Sequence, residues 1–325
     1  MERKPDLSIV VPLFNEEEGI PALLAELKRV TSMLGRSYEI VLIDDGSTDA
    51  TAQLLEQASQ TDQNIKVLRF SRNFGHQAAF SAGIDFAQGQ MVITMDGDLQ
   101  HPPAMLPTFL AKADEGYDIV IGERLANKQN SKKRELANKW FYKFLTLITN
   151  LEFRNVSDFA LYNRSVVAVL KRLPEKERYL RGLVQWVGFR KAYVSYAVDE
   201  RKFGVPKYNF QKLLKLVLSG VTSFSAFPLR LALWAGILVF LASFIFGVYV
   251  AIDHYVNPNP LIPGWATVVI LILFFSSIQL IVLGIVGEYL YKMFNEVKGR
   301  PLYIVAQTHN IDKANTDASA YGIHP

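Results

Sequence analysis

Residues 7–45 read LSIVVPLFNEEEGIPALLAELKRVTSMLGRSYEIVLIDD, and this stretch decides the fold class. A β-rich run, LSIVVPLF, gives way to the polar cluster NEEEG and then to a helical segment reaching about Leu34. YEIVLID returns to a continuous apolar run. Strands this apolar have no wet face, so a change of period from strand to helix to strand predicts a parallel sheet with helices on both sides.

The alternation continues outward. A helix is predicted from Asp49, strands at IKVLRF, QMVITMD and YDIVIGE, and helices over 75–87 and 103–113. The fold class is therefore α/β with a mostly parallel, Rossmann-like sheet, an architecture that binds ligands beyond the carboxyl ends of its strands. Polar clusters stand at three such ends: NEEEG, DDGSTD and DGDLQHPP, after the first, second and fourth strands.

A chain of 325 residues holds one such domain with roughly 100 residues to spare. Residues 231–252, LALWAGILVFLASFIFGVYVAI, carry no charge, and neither do residues 261–287. About 20 helical residues cross a bilayer core, so these runs predict a transmembrane hairpin with spans at 231–252 and 264–287. The other reading, core helices of a large soluble domain, conflicts with apolar character on every face. Lys207, Lys212, Lys215 and Arg230 precede the hairpin, Lys292, Lys298 and Arg300 follow it, and its loop has neither Lys nor Arg. The positive-inside rule then places both termini and the first 200 residues in the cytoplasm. MERKPDLS has no apolar signal-peptide core, and the absence of cysteine removes disulfides and thiolate metal sites.

The expected layout is a domain over 1–205 with an interfacial helix at about 132–151, an amphipathic juxtamembrane helix over 206–228, the hairpin over 229–290, and a cytoplasmic tail over 291–325. Both amphipathic segments mix basic and aromatic residues at helical spacing and read as interfacial helices, the other reading being an ordinary surface helix packed on the domain. Residues 307–325 are polar, without periodicity, and read as mobile. The net charge of +4 is modest, and no nucleic-acid motif accompanies it, so the basic residues are assigned to lipid headgroups and phosphates.

Asp96-Gly97-Asp98 places two carboxylates one residue apart at a strand end. Hard divalent cations such as Mg²⁺ or Mn²⁺ bind through one or two carboxylates plus phosphate oxygens, so the pair implies a diphosphate ligand. Gln100 could add an amide oxygen, although an isolated Asp-x-Asp can also be a solvated turn. Asp44-Asp45-Gly46-Ser47 closes another strand, with Asp49 suited to cap the next helix. One of the two Asp residues can serve the turn while the other accepts hydrogen bonds from a base or ribose. Pro12 ends the first strand; Glu16 either meets a nucleoside or favours a helix dipole. His101, before two prolines, reads as structural, and five scattered histidines give no metal pair. No Gly-x-Gly-x-x-Gly follows the first strand, which disfavours an oxidoreductase.

VVPLFNEEEG, DDGSTD, RNFGHQAA, MDGDLQHPP, SDFALYNR and RKFGVPKY occur in this order. Together they resemble the family-two glycosyltransferases of GT-A fold that act on polyprenyl phosphate, over roughly residues 5–300. The likeness is greatest to the bactoprenol glucosyltransferases of O-antigen modification and more distant to dolichyl-phosphate mannose synthase. The resemblance implies a nucleotide-sugar site of Pro12, Leu13, Glu16, Asp44, Asp45, Ser47, Gly75, His76, Gln77, Asp96, Gly97 and Asp98. It also implies a divalent cation held by Asp96, Asp98 and Gln100, and an acceptor phosphate gripped by Arg124, Arg134, Arg201 and Lys207. Asp158 matches a position often assigned as base; because a phosphate monoester is mostly ionised at neutral pH, an orienting role is expected for it instead.

Glu123 stands where the family has Ser, and Pro206 replaces a Ser before Lys207, which puts hydroxyl contacts in question. Gln185-Trp186 lacks the spacing of the Gln-x-x-Arg-Trp motif of processive synthases, so a single transfer is expected. The implied reaction is inverting transfer of one sugar, glucose from UDP-glucose, to undecaprenyl phosphate by a multi-pass protein of the cell inner membrane. GDP-mannose or an aminoarabinose nucleotide are the other donors, and a non-catalytic nucleotide-binding adaptor is the other class. Two spans under a large domain invite a homo-oligomer, a dimer or tetramer.

Overall fold

The computed structural model describes residues 4–125, 156–176, 178, 180–197, 227–256 and 264–311. The chain divides into two compact units, Met1–Phe210 with Arg300–Pro325, and Gln211–Gly299.

Among the described residues the first unit holds an eight-stranded sheet in the order β7-β5-β6-β4-β1-β2-β3-β8. Strands β1 (Leu7–Leu13), β2 (Tyr38–Asp44), β3 (Ile65–Phe70) and β4 (Met91–Thr94) form the parallel centre. Helices α1 (Ile20–Met33), α2 (Thr51–Thr61) and α3 (His76–Phe86) connect them in turn. A 3-10 turn, Pro103–Met105, and α4 (Leu106–Asp114) lead to β5 (Ile119–Arg124), which pairs in parallel with β7 (Lys191–Tyr196). All seven residues of β1 are buried, as a doubly covered strand requires. From one face of the strand Ile9 and Val11 join Leu23, Leu27, Leu42, Leu55 and Phe109 in a single core.

The mostly parallel α/β sheet expected from the sequence is therefore present, with two strands running against it. β6 (Val156–Asn163) inserts antiparallel between β4 and β5, and β8 (Val305–His309) pairs antiparallel with β3. Neither has the continuous Val/Ile/Leu signature: SDFALYN breaks its apolar run with polar residues, and VAQTH is largely polar. β8 corrects the reading of a mobile tail for its first residues, since Gln307 and His309 stand in register with Arg69 and Val67; residues 312–325 lie outside the described residues. Asn310 fixes the end of the strand, its Nδ2 donating to the carbonyls of Ser59 at 2.6 Å and Ile65 at 2.9 Å. Pro12 lies inside β1, which runs on to Leu13, and does not end it.

After β6 come α5 (Arg164–Arg172) and α6 (Leu180–Trp186). The second unit contains α7 (Phe227–Val256) and α8 (Trp265–Val297), which cover the two predicted spans. The apolar windows Phe227–Phe246 and Phe274–Val297 are long and apolar enough to cross a membrane, and neither is buried by the chain itself. The predicted helix at 132–151 and residues 206–226 of the juxtamembrane segment lie outside the described residues, as do Arg134, Arg201 and Lys207.

Candidate active site

The centre of the site is set by strand register. The last ladder pair of β4 and β6 is Thr94 with Ala160, and Asp96 and Asp158 each lie two residues beyond it, in opposite chain directions. An antiparallel neighbour is what lets SDF meet DGD; a parallel strand in that place would have carried Asp158 to the opposite end of the sheet. Thr94 locks the register, its hydroxyl donating to the Asp158 carbonyl at 2.6 Å.

Among the described residues four basic side chains surround the two carboxylates. Arg181 of α6 grips Asp158 with Nε at 2.9 Å from Oδ1 and Nη2 at 2.7 Å from Oδ2. His76, at the start of α3, places Nε2 3.0 Å from Asp96 Oδ1 and 4.0 Å from Asp158 Oδ2. His101 receives the backbone N–H of Asp96 on Nδ1 at 2.9 Å and stacks on Phe159. Arg124, at the end of β5, holds Nη2 3.9 Å from Asp96 Oδ2 and donates Nε to the Tyr196 hydroxyl at 3.3 Å. That hydroxyl donates to Ser157 Oγ, which donates to the Gly122 carbonyl, so Arg124 rests on a buried polar chain.

Charge follows from this packing. Burial opposes ionisation of Asp96, but His101, His76 and Arg124 outweigh it and hold the carboxyl well below its usual range. Asp158 is also held low: burial again acts against the charge and the Arg181 guanidinium overcomes it. Burial disfavours the charged form of His76, while contact with Asp96 and the charges of Asp96 and Asp158 raise its pKa overall. Burial pushes the His101 pKa down, against the raising effect of the neighbouring Asp96 charge.

The turn bearing Asp98 is tight. Gly97 packs so close to β1 that a Cβ there would stand 2.4 Å from Leu13 Cδ2. Leu99 takes φ +60°, a conformation costing a branched residue on the order of 1 kcal/mol. Asp98 Oδ1 accepts the Gln100 backbone N–H at 3.1 Å. Asp96 Oδ1 is buried, with His76 Nε2 beside it at 3.0 Å. With the half-buried Asp98 it offers the hard oxygen donors a divalent cation takes, and these residues fit such an ion. Among the described residues no third His, Cys, Asp or Glu completes a metal cluster, so phosphate and water oxygens would have to supply the rest.

The loops after β1 and β2 are fastened to each other. Asn15 N–H donates to Ser47 Oγ, Asn15 Oδ1 accepts Thr48 N–H, Glu16 N–H donates to Thr51 Oγ1, and Glu17 Oε2 accepts Ala50 N–H. Asp44 serves the turn, with Oδ1 accepting Ser47 N–H at 2.9 Å, and its Oδ2 lies 3.4 Å from Arg69 Nε in a cleft lined also by Gln307 and His309. Asp45 instead holds the next loop, accepting the N–H groups of Phe74 at 2.7 Å and Gly75 at 3.0 Å. Burial raises the pKa of Asp45 against the lowering effect of those two donors. Asp49 does not cap α2 as the N-cap residue, which is Ala50; its Oδ1 accepts Thr51 N–H from one position earlier. Gln77 Oε1 accepts the Leu180 N–H at 3.1 Å and so seats α6.

The structure thus brings His76, Asp96, Arg124 and Asp158 together, with Asp98 and Gln100 on the adjoining turn and Pro12, Leu13 and Gly97 beneath it. Glu16, Asp45, Ser47 and Gly75 belong to the fastened loops, and Asp44 faces the cleft on the α2 side. Arg181 is a member of the site that the sequence motifs miss. Its signal is a lone cation in the apolar run YLRGLVQW, which needs a buried partner.

Residues 8–170 match the family described as glycosyl transferase family 2. The chain is 39% identical over 313 residues to an uncharacterised glycosyltransferase, YkcC, of Bacillus subtilis, covering 96% of this chain and 97% of that one. It is 38% identical over 304 residues to the SfII prophage-derived bactoprenol glucosyl transferase of Shigella flexneri, covering 93% and 98%. Among solved structures, glucosyl-3-phosphoglycerate synthase from Mycobacterium tuberculosis with Mn²⁺, UDP-glucose and phosphoglyceric acid is 18% identical, covers 67% of this chain and 79% of that one, and gives a TM-score of 0.46. With half of its length matched by the family and near-complete relatives at this identity, the chain belongs to glycosyl transferase family 2.

Proposed function

We propose that this glycosyltransferase moves a single sugar, glucose from UDP-glucose, onto undecaprenyl phosphate at the cytoplasmic face of the inner membrane, with inversion at the anomeric carbon. The observation that carries the reading is the meeting of Asp96 and Asp158 with Arg124 and Arg181 at one end of the sheet. The likeness, 38% identical over nearly the full length, to a bactoprenol glucosyl transferase supports the acceptor, and the two long apolar helices support a membrane-bound enzyme.

In this mechanism a phosphate oxygen of the lipid attacks the anomeric carbon, the bond from that carbon to the diphosphate oxygen breaks, and UDP departs with the electron pair. A divalent cation bound by Asp96 and Asp98 would act as a Lewis acid toward the departing diphosphate. Arg124, beside Asp96, offsets the repulsion between the anionic donor and the anionic acceptor. Asp158 orients: its two oxygens are engaged by Arg181 and its proton affinity is low. No strong base is needed, because a phosphate monoester loses its second proton near about pH 6. Arg134, Arg201 and Lys207 are proposed to hold the acceptor phosphate, and the hairpin to mediate self-association.

The test uses the full chain, purified in detergent, with labelled nucleotide-sugars, undecaprenyl phosphate and Mg²⁺ or Mn²⁺. UDP-glucose is expected to give a labelled glycolipid whose formation stops with a chelator. Label reaching no polyprenyl lipid from any donor would overturn the reading, whereas transfer from GDP-mannose alone would overturn the donor.

A further inference from the structure

We propose that residues 303–310, downstream of the apolar hairpin in the chain, are a positioning strap for the active site: Tyr303 acts through Asp85 and Arg178 to seat α6, and with it Arg181 against Asp158. The inference rests on the reaction proposed above for its kinetic readout.

The observations begin just before β8. Tyr303 is buried, 2% exposed, and its ring stacks on Phe70 with centroids 5.1 Å apart. Packing therefore fixes the ring, and the pairing of Ser71 N–H with the Ile304 carbonyl fixes the backbone beside it. The hydroxyl so aimed donates to Asp85 Oδ2 at 3.0 Å. On its other side the same oxygen stands 3.6 Å from Arg178 Nη1, in a pocket that leaves the Asp85 side chain 5% and the Arg178 side chain 14% exposed. Arg178 Nη2 also donates to the Leu173 carbonyl, which ties it to the end of α5.

Asp85 and Gln77 are on one helix, α3, about 12 Å apart at 1.5 Å per residue. Both hold the same short approach to α6: Gln77 takes the Leu180 N–H, and Asp85 takes Arg178. The first residue of α6 is thus pinned near the reactive centre and its lead-in is pinned at the far end of α3. Arg181 is the next residue, and its two hydrogen bonds to Asp158 need a fixed guanidinium plane. Phe at 303 would satisfy the stacking; the hydroxyl adds the bond to Asp85, whose buried carboxylate needs donors on both sides to stay a fixed partner for Arg178.

The decisive variants are Tyr303→Phe, Arg178→Gln and their combination in the full-length protein. Tyr303→Phe keeps the ring and is expected to lower kcat roughly three- to tenfold, the loss of about one hydrogen bond, with KM for UDP-glucose unchanged. The double variant is expected to be no worse than Arg178→Gln alone, because the hydroxyl acts through that arginine. Hydrogen exchange gives a readout free of substrate: amides of α6 should exchange roughly three- to tenfold faster in Tyr303→Phe, while β1 and β2 keep their protection. An unchanged kcat, additive losses, or unaltered α6 exchange would each overturn the strap. An inactive wild type would count against the proposed reaction, and the exchange arm would still decide the strap.

Discussion

Arg181 and Asp158 meet through two parallel hydrogen bonds of 2.9 and 2.7 Å, a fork-to-fork pair near the start of β6 whose carboxylate side chain is 6% exposed. The pair joins α6 to the sheet at the point where Asp96 arrives from β4. Both Asp158 oxygens accept from a permanent cation, which fits the orienting role proposed for this residue.

Arg181→Lys keeps the charge and loses the planar fork, so it should lower kcat at least tenfold, equivalent to about 1.4 kcal/mol. Asp158→Asn should fall by a similar factor, and the double variant Arg181→Lys with Asp158→Asn should be no worse than either. Steady-state kinetics on the three variants measures this; additive losses would mean that the residues work separately.

Asp98→Ala should abolish detectable transfer, a loss of roughly a thousandfold, as expected when charge stabilisation at a leaving group is removed. Asp96→Asn should act as strongly and should also release His76 and Arg124. Calorimetric titration of Mn²⁺ with UDP present is the direct check, and retention of wild-type affinity in Asp98→Ala would contradict its role as a ligand.

Much of this site was legible in the sequence, and the limits have physical causes. β1 and β2 announce themselves because a strand buried on both faces must be apolar throughout. The acidic clusters at their ends, and at the end of β4, could be read for the same reason: polar residues directly after such strands have somewhere specific to go. β6 and β8 could not be read this way. β6 carries Asp158 and Tyr162 within its length, and β8 is an edge strand far along the chain from its partner β3, so nothing local marks either one. The division of labour between Asp44 and Asp45 was likewise hidden. It depends on which way each side chain turns where β2 ends, and only the N–H groups of Phe74 and Gly75 that Asp45 accepts decide it.

Gly46 provides a test that needs no substrate. Its φ is +69°, and a Cβ would stand 2.4 Å from the Arg72 carbonyl carbon, against backbone. Gly46→Ala must displace the loop after β3 and should cost about 2 to 3 kcal/mol, strain and steric displacement combined. Asp45 reaches that loop through the N–H groups of Phe74 and Gly75, so the same substitution should raise the KM for donor. Thermal or denaturant unfolding measures the first effect; a melting point equal to wild type would contradict the close approach.

The acid limb of the stability curve should carry the signature of Asp158. Its folded pKa is depressed by Arg181 against the opposing effect of burial, while an unfolded Asp titrates near about 3.9. A depressed carboxyl binds its proton more weakly when folded, so its stabilisation is fully present above about pH 4 and is lost as pH falls through the folded value. Asp158→Asn removes that dependence, because an amide does not titrate. The variant should be less stable than wild type at about pH 7, where Arg181 has lost its counter-charge, and the gap should narrow steadily below about pH 4. Denaturant midpoints from about pH 7 down to about pH 3 are the measurement, with Asp114→Asn as a control, since that residue's partner Arg36 and its own half-exposed carboxylate make a surface pair of small effect. A gap that stayed constant with pH would place the Asp158 charge outside the stability of the fold.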